Sequence, residues 1–268
     1  MNKHFVLTSG RSGSNYISSL LTKHPNVINY GEVLGEWTTG YKVNKYLIGQ
    51  GDAGKYLDFI YRGKGYFQLS QTYARLKSVV SSQGVVNKKW SDITSYGIKD
   101  FAMTLIQRDA PDFLKQNPDI RVINLYRENA LRRFASVQLL DETGVVSTDH
   151  AQVDAAAALK LKKQVYLDPN TILADLQRTQ QVVQDQLDMV AQLPEEQVLT
   201  IRYEDLFASE EAKHDFAANM FKFIGVEPLE LSSSHKKLNS DNLKELISNY
   251  DEIFEICKGS EFERYFYY

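Results

Sequence analysis

The sequence predicts an α/β protein built around a central parallel sheet that is flanked by helices. Two observations lead to this class. Short apolar runs that fit buried strands recur along the chain, and stretches with helical spacing separate them. The first such unit is Phe5-Val6-Leu7, followed by a Gly/Ser loop and a helical pattern that Pro25 ends, because proline cannot continue a helix.

The remaining elements follow the same alternation. Strands are predicted at residues 5–7, 27–30, 96–101, 121–126 and 197–203. Helices are predicted after the first loop, at 129–140, within 152–193, and near 209–224 and 241–257. Residues 37–90 are rich in Tyr and Phe but show no long period. Since the chain has no internal repeat, low-complexity tract or linker, we expect one domain over residues 1–268.

Composition and charge exclude several classes of protein. The formal net charge of −3 argues against a nucleic-acid binder with a broad basic face. The single cysteine, Cys257, excludes a disulfide framework and a thiolate-rich zinc site within one chain. The five histidines show no metal-ligand spacing, so we expect no metal. Without a signal-type segment or an apolar run of ~20 residues, a cytoplasmic protein with no integral membrane segment is expected.

The loop from Thr8 to Ser14 is a candidate anion-binding site. It lies between the first strand and the first helix, where backbone amides and the helix dipole favour negative charge. Gly10 and Gly13 allow close approach of the backbone, and Arg11 adds a planar cation suited to phosphate. The loop lacks the Gly-Lys-Ser/Thr ending of a Walker A motif. A tight turn without a ligand is the alternative interpretation.

A second candidate site follows the strand predicted at 121–126. Arg127 lies at its carboxyl end, where open α/β sheets bind ligands, and Ser136 lies in the next helix. The alternative is that Arg127, Arg132 and Arg133 form a solvated helix face with ion pairs.

Together these segments resemble the sulfotransferases that use 3′-phosphoadenosine 5′-phosphosulfate (PAPS), in their carbohydrate-type and bacterial branch. Thr8–Ser14 resembles the 5′-phosphosulfate loop, and Arg127 with Ser136 resembles the 3′-phosphate pair. Residues 201–206 are similar to the Arg-Tyr-Glu-Asp-Leu segment of the family, and 238–252 to the carboxyl-terminal part of bacterial sugar sulfotransferases. The resemblance implies a three-layer fold of the P-loop type and the product 3′-phosphoadenosine 5′-phosphate (PAP).

The resemblance also implies a role for individual residues of the donor site. The loop would hold the 5′-phosphosulfate, the pair at 127 and 136 the 3′-phosphate, and Tyr203 the adenine edge, although a buried packing role for Tyr203 stays open. The residues implied to bind the donor are Ser9, Gly10, Arg11, Ser12, Gly13, Ser14, Asn15, Arg127, Ser136 and Tyr203.

Three residues are candidates for catalysis. The histidine that small-molecule members carry after a Lys-Thr pair is missing from Lys99-Asp100-Phe101. The Gly31-Glu32 pair is similar to the glutamate base of other members, so Glu32 is predicted to be the general base and Glu36 the reserve. Arg11 would stabilise the leaving phosphate and Lys99 the sulfuryl oxygens. The alternatives are a surface carboxylate and an exposed lysine at a strand edge.

The acceptor is predicted to be a carbohydrate, glycolipid or small metabolite, on the strength of the resemblance. Residues 37–95 are interpreted as the acceptor-binding or lid segment, because many aromatic and basic side chains lie there. They equally fit the core of a helical subdomain. A P-loop nucleotide or small-molecule kinase and a non-catalytic nucleotide-binding module are the rival functions, and the sequence does not indicate an oligomeric state.

Overall fold

A computed structural model describes residues 1–43, 51–81, 88–144, 164–233 and 242–267. Its centre is a five-stranded sheet in which all strands run parallel, in the order β2-β3-β1-β4-β5. The strands are β1 (Asn2–Thr8), β2 (Val27–Asn29), β3 (Ser95–Phe101), β4 (Ile120–Tyr126) and β5 (Val198–Arg202). All five predicted strands, and with them the predicted α/β class, are therefore confirmed.

Helices connect the strands and cover the sheet. They are α1 (Ser14–Lys23), α2 (Thr39–Val43), α3 (Ala53–Tyr61), α4 (Lys64–Ser81), α5 (Ala102–Gln107), α6 (Phe113–Gln116), α7 (Ala130–Thr143), α8 (Ile172–Val190), α9 (Tyr203–Leu206), α10 (Glu210–Phe223), α11 (Leu243–Leu246) and α12 (Tyr250–Cys257). Among the described residues, no helix is both long enough and apolar enough to cross a membrane.

Strand β1 shows how the sheet separates two apolar cores. Phe5 and Leu7 pack into one core with side chains of α3 and α5, whereas Val6 packs into another with side chains of α1 and α10. Alternate residues of a strand point to opposite faces, so helices cover the sheet on both sides. The close pairing of β1 with β3 requires Gly97, because a Cβ there would lie 1.8 Å from the carbonyl oxygen of His4.

Two segments differ from the helices predicted from sequence. Residues 37–81, which showed no long period, contain α2, α3 and α4, because their aromatic side chains pack on one another rather than along a single stripe. The helix predicted within 152–193 begins only at Ile172. Val165 instead forms a parallel bridge with Ile247, which also divides the helix predicted at 241–257 into α11 and α12. Residues 152–163 lie outside the described residues.

His4 in β1 gives the stability of the fold a pH dependence. The ring is fully buried, its Nδ1 lies 2.8 Å from Ser95 Oγ, and its Nε2 has no hydrogen-bond partner among the described residues. Burial lowers the pKa of this imidazole to about 3. Its contribution to stability is therefore complete above pH 6.5, the ordinary pKa, and is lost as the pH falls towards 3. When the pH falls from 6.5 to 5, His4 binds a proton in the unfolded chain but not in the folded one. We expect this difference to lower the free energy of unfolding by roughly 2 kcal/mol.

Urea unfolding at these two pH values measures the effect, and His4→Gln is the comparison. Asp100 acts in the opposite direction, because burial raises the pKa of its carboxyl to about 6, so only the difference between variant and parent isolates the histidine. The variant should lose much less stability on acidification than the parent protein. An equal loss in both proteins would show that His4 is not responsible.

Candidate functional site

The loop after β1 has the backbone of a phosphate cradle. Gly10, Arg11 and Gly13 all have positive φ angles, of 80°, 53° and 82°. A Cβ at Gly13 would lie 2.6 Å from the ring of Phe207, and one at Gly10 would lie 3.3 Å from the ring of Phe101. Both positions therefore need glycine for conformation, and Gly13 needs it for space as well. The loop turns at the carboxyl edge of the sheet, where ligands bind in parallel α/β proteins.

Several donors in this loop are available to an anion. The backbone N–H groups of Ser12, Gly13, Ser14 and Asn15 donate to no acceptor in the described part of the chain. The hydroxyl of Ser9 is buried and likewise has no partner there. Unpaired amides at the start of α1 attract negative charge, and a buried unpaired hydroxyl is costly unless a ligand satisfies it. The loop thus fits an anionic group better than a tight turn alone.

Arg133 in α7 holds this loop against the rest of the protein. Its guanidinium is buried and donates to the carbonyl oxygens of Ser9, Gly10 and Thr179, the last two at 3.2 and 3.4 Å. Burial, together with the positive charge of Arg127, lowers its pKa to about 10. The solvated helix face considered for Arg127 and Arg133 is therefore wrong. The position of Arg133 one turn before Ser136 was the signal that could have placed it at the site.

The two predicted phosphate-binding segments meet in space. Arg11 Nε donates to Ser136 Oγ at 2.9 Å, and Arg127 Nη1 lies 3.4 Å from the carbonyl oxygen of Arg11. The Arg127 guanidinium also lies 4.3 Å from the centre of the Tyr203 ring. Burial and the Arg127 charge lower the pKa of Arg11. Like charges held this close repel one another, and a bound polyanion would relieve the repulsion.

The Arg-Tyr-Glu-Asp segment positions the Arg127 turn. The carboxylate of Glu204 accepts the backbone N–H groups of Glu128 and Asn129 at 3.2 and 3.1 Å. Arg202 bridges Glu128 and Asp205 at 2.7 and 2.6 Å. These polar residues therefore act by fixing the turn that carries Arg127, a role that their sequence spacing alone did not indicate.

Glu32 and Lys99, the predicted base and sulfuryl-binding lysine, form an ion pair beside the loop. Lys99 Nζ lies 2.5 Å from Glu32 Oε1 and 3.3 Å from Asn15 Oδ1. Lys99 is only 5% exposed, so it is not a lysine at an open strand edge. The reserve carboxylate, Glu36, is largely exposed and pairs with Arg108 at 2.9 Å. Of the two carboxylates, only Glu32 is placed next to the loop residues.

Asp100 holds the turn that carries Glu32. Its fully buried carboxylate accepts the backbone N–H groups of Val33 and Leu34 at 2.9 and 2.8 Å, and that of Phe101 at 2.9 Å. These bonds fasten the chain after β2 to the end of β3. The role of Asp100 has no local sequence signal, because two of its three partners are backbone groups more than 60 residues away.

Asp100→Asn is expected to loosen this turn. An amide offers one acceptor oxygen where the carboxylate offers two, so at least one of the three backbone N–H groups loses its partner. Oδ2 accepts both Val33 and Leu34, and Oδ1 accepts Phe101, so amide hydrogen exchange should accelerate by about tenfold or more either at Val33 and Leu34 together or at Phe101, in keeping with the loss of a hydrogen bond to a charged acceptor. Exchange at the central β1 residues serves as the control. Acceleration equal at both places would mean general destabilisation rather than a loosened turn.

A cavity of about 520 Å³ lies beside Phe207. Tyr16 of α1 and Phe207 line one part of it, with ring centres 5.4 Å apart, and Phe207 is the ring that covers Gly13. Residues from α10 and from the chain after it line the rest, among them His214, Lys213, Ala217, Pro228, Leu229 and Leu231. The lining mixes apolar side chains with the charged groups of Glu210, Lys213 and Glu230, and none of its residues belongs to the Thr8–Ser14 loop. Beyond the aromatic character of Tyr16 and Phe207, no sequence pattern indicates this cavity.

The described aromatic residues of 37–95 range from buried to exposed. Tyr41, Tyr56, Tyr61 and Phe67 are buried in the core, as expected of a helical subdomain. Trp37 and Tyr73 remain exposed, and Trp37 donates to Glu32 Oε2 at 2.9 Å. Tyr46 belongs to 44–50, and this range, 82–87 and 234–241 all lie outside the described residues. In the described part of the chain, no group of His, Cys, Asp and Glu side chains could hold a metal ion.

No protein-family model and no curated protein matches the chain. Among solved structures, it is similar to a sulfotransferase from Alicyclobacillus acidocaldarius, at 15% identity and a TM-score of 0.45, over 100% of this chain and 96% of that one. A sulfotransferase domain from the curacin biosynthetic pathway aligns at 17% identity and a TM-score of 0.41, over 91% of this chain and 82% of that one. A sulfotransferase domain from the Synechococcus PCC 7002 olefin synthase aligns at 13% identity and a TM-score of 0.40, over 96% of this chain and 94% of that one. All three bear the name of the family that the motifs resemble.

Proposed function

We propose that this protein is a sulfotransferase that moves a sulfuryl group from PAPS to an acceptor hydroxyl. The observation that carries the proposal is the meeting of Arg11 and Arg127 beside the start of α1. Two sets of candidate donors would each bind one end of a single bisphosphorylated ligand. One consists of the loop donors around Ser9 and Gly13, and the other of the Arg127 guanidinium. A donor with phosphate groups at both its 5′ and 3′ positions suits this arrangement better than a simple nucleotide.

The residues present fit each part of the donor. The loop amides and the Ser9 hydroxyl would hold the 5′-phosphosulfate, with Arg11 beside them. Arg127 and Ser136 would hold the 3′-phosphate. The adenine edge would lie at Tyr203, whose ring packs on that of Phe207 with ring centres 4.6 Å apart.

The chemistry of this chain then divides among three side chains. PAPS supplies an activated sulfuryl group whose departure leaves charge on the 5′-phosphate. Arg11 would stabilise that charge, and Lys99 the oxygens of the sulfuryl group. Glu32, which pairs with Lys99, would take the proton of the acceptor hydroxyl. An acceptor aligned with the sulfuryl group would gain further from proximity.

The resemblance favours a carbohydrate or small-metabolite acceptor, and the exposed indole of Trp37 beside Glu32 is compatible with a sugar ring. The cytoplasmic location and the acceptor-binding role of 37–95 remain part of this proposal. A kinase is the rival function. The absence of a Walker lysine counts against it, because Gly13 is followed by Ser14 and Asn15, whereas a kinase needs a lysine there that reaches the β- and γ-phosphates.

Transfer of labelled sulfate from PAPS to a panel of p-nitrophenyl glycosides and simple alcohols tests the proposal. We expect labelled product and release of PAP without added metal. Phosphate transfer from ATP with Mg²⁺ to the same panel would support the kinase instead. If PAP raised the thermal midpoint while no panel member was sulfated, the non-catalytic nucleotide-binding module would be favoured.

A further inference from the structure

Trp37 combines high exposure with a fixed position. The side chain is 65% exposed, yet its indole N–H donates to Glu32 Oε2 at 2.9 Å. Large aromatic side chains that are this exposed gain little from burial, so packing does not account for a tryptophan here. Its place beside a carboxylate at the carboxyl edge of the sheet points to a functional reason.

The chain around Trp37 is shaped to hold the indole. A Cβ on Gly35 would come within 2.4 Å of the indole ring, so the ring lies directly against the backbone of Gly35. The hydroxyl and the backbone N–H of Thr38 bond to the Gly35 carbonyl at 2.8 and 2.9 Å, which closes a tight turn. Phe101 approaches from β3, with ring centres 6.3 Å apart. The indole is thus fixed on two sides and open on the others.

The two oxygens of Glu32 have different donors. Lys99 holds Oε1 at 2.5 Å, and Trp37 holds Oε2 at 2.9 Å. We propose that Trp37 is a positioning residue for Glu32. The Trp37 indole N–H keeps the Glu32 carboxylate in its orientation when Lys99 turns to the sulfuryl group.

This inference deepens the proposed function and depends on it. In that function, Lys99 has two anionic partners, Glu32 and the sulfuryl oxygens. When the donor is bound, the ammonium is shared between them, and the Glu32 side chain loses part of its fixation. The Trp37 bond is independent of the donor. It therefore holds the base at the acceptor hydroxyl, where a displacement of about 1 Å can cost up to a hundredfold in rate.

The first test observes the hydrogen bond itself, in the protein without ligands. The chain has two tryptophans, so its ¹H–¹⁵N spectrum contains two indole N–H signals, and Trp90→Phe assigns the Trp37 signal. We expect Glu32→Gln to move the Trp37 signal, because the indole then faces a neutral group, and Glu36→Gln to leave it in place. A Trp37 signal that is unaffected by Glu32→Gln would overturn the proposal.

The second test measures turnover in three variants. Trp37→Phe keeps an aromatic ring but removes the N–H donor, and we expect kcat to fall about tenfold with the KM for PAPS within about twofold. Gly35→Ala keeps the donor but displaces the indole, and kcat should also fall. In the Glu32→Gln background, Trp37→Phe should change kcat by less than about twofold, because the oxygen that it positions no longer acts as a base. The thermal midpoint of each variant excludes unfolding as the cause.

The outcomes separate this inference from the proposed function. If Glu32→Gln stops turnover but Trp37→Phe and Gly35→Ala leave kcat unchanged, the role of Trp37 is wrong and the proposed base remains. Full turnover in Glu32→Gln would remove the base assignment and the role of Trp37 with it. Additive losses in the double variant would show that Trp37 acts through something other than Glu32.

Discussion

Glu32→Gln is expected to lower turnover with PAPS by about two orders of magnitude or more. Glutamine keeps the size of the side chain and an oxygen that can accept from Lys99, but it cannot take a proton from the acceptor. The affinity for PAP should stay within about twofold, because Glu32 belongs to the acceptor side of the arrangement and pairs with Lys99 rather than with the loop amides. Steady-state transfer of labelled sulfate, with PAP calorimetry on the same preparation, measures both quantities.

Glu36→Gln is the matched control for this prediction. It alters a carboxylate four residues away that is exposed and bound to Arg108. Turnover should change by no more than about twofold. If Glu36→Gln stopped the reaction while Glu32→Gln did not, the reserve assignment would replace the present one.

Arg127→Ala is expected to weaken PAP binding by about 10- to 100-fold, the range for charge-assisted hydrogen bonds to a phosphate. Binding of adenosine 5′-phosphate, which lacks the 3′ group, should weaken by less than about threefold. The reason is that Arg127 faces the Tyr203 side of the site, whereas the 5′ group is assigned to the loop amides. Isothermal calorimetry with both ligands measures the difference.

Arg178→Ala controls for the removal of a positive charge, since Arg178 is exposed and pairs only with its own helix neighbour Asp175 among the described contacts. It should leave both affinities unchanged. Equal weakening of the two ligands by Arg127→Ala would instead mean that Arg127 supports the loop as a whole. Its contact with the Arg11 carbonyl makes that the competing explanation.

The strands and the loop could be predicted from sequence because their signals are local. A run such as Phe5-Val6-Leu7 is apolar on both faces only if both faces are buried, and the glycines at 10 and 13 carry a conformational requirement of their own. Arg11 and Arg127 meet because each follows a strand of the parallel sheet, whose strands end at one edge.

The backbone partners of the supporting charged residues could not be predicted, since most of them are distant in sequence. Asp100 bonds to backbone groups after β2, and Arg133 to carbonyls of the first loop. On sequence grounds both are ordinary polar residues that one expects at the surface. Burial with backbone partners becomes visible only when the tertiary structure is known.

The helices of 37–81 escaped prediction for a different reason. Tyr56, Phe59 and Tyr66 pack edge to face on one another, so aromatic residues occupy more of the helix circumference than a single apolar stripe would. The resulting pattern has no clear period although the backbone is helical. The long helix predicted within 152–193 shows the reverse case, because a helical pattern there continues into an extended segment that pairs with Ile247.

The most direct test of the central claim, that one ligand joins the loop at Arg11 to the cation at Arg127, is a calorimetric comparison on the unaltered protein. PAP and adenosine 5′-phosphate differ only in the 3′-phosphate. The arrangement predicts that PAP binds at least about tenfold more tightly, with a difference that narrows as salt is added, because part of it is electrostatic. Equal affinities for the two ligands would contradict the assignment of a 3′-phosphate site and, with it, the proposal of a PAPS-dependent enzyme.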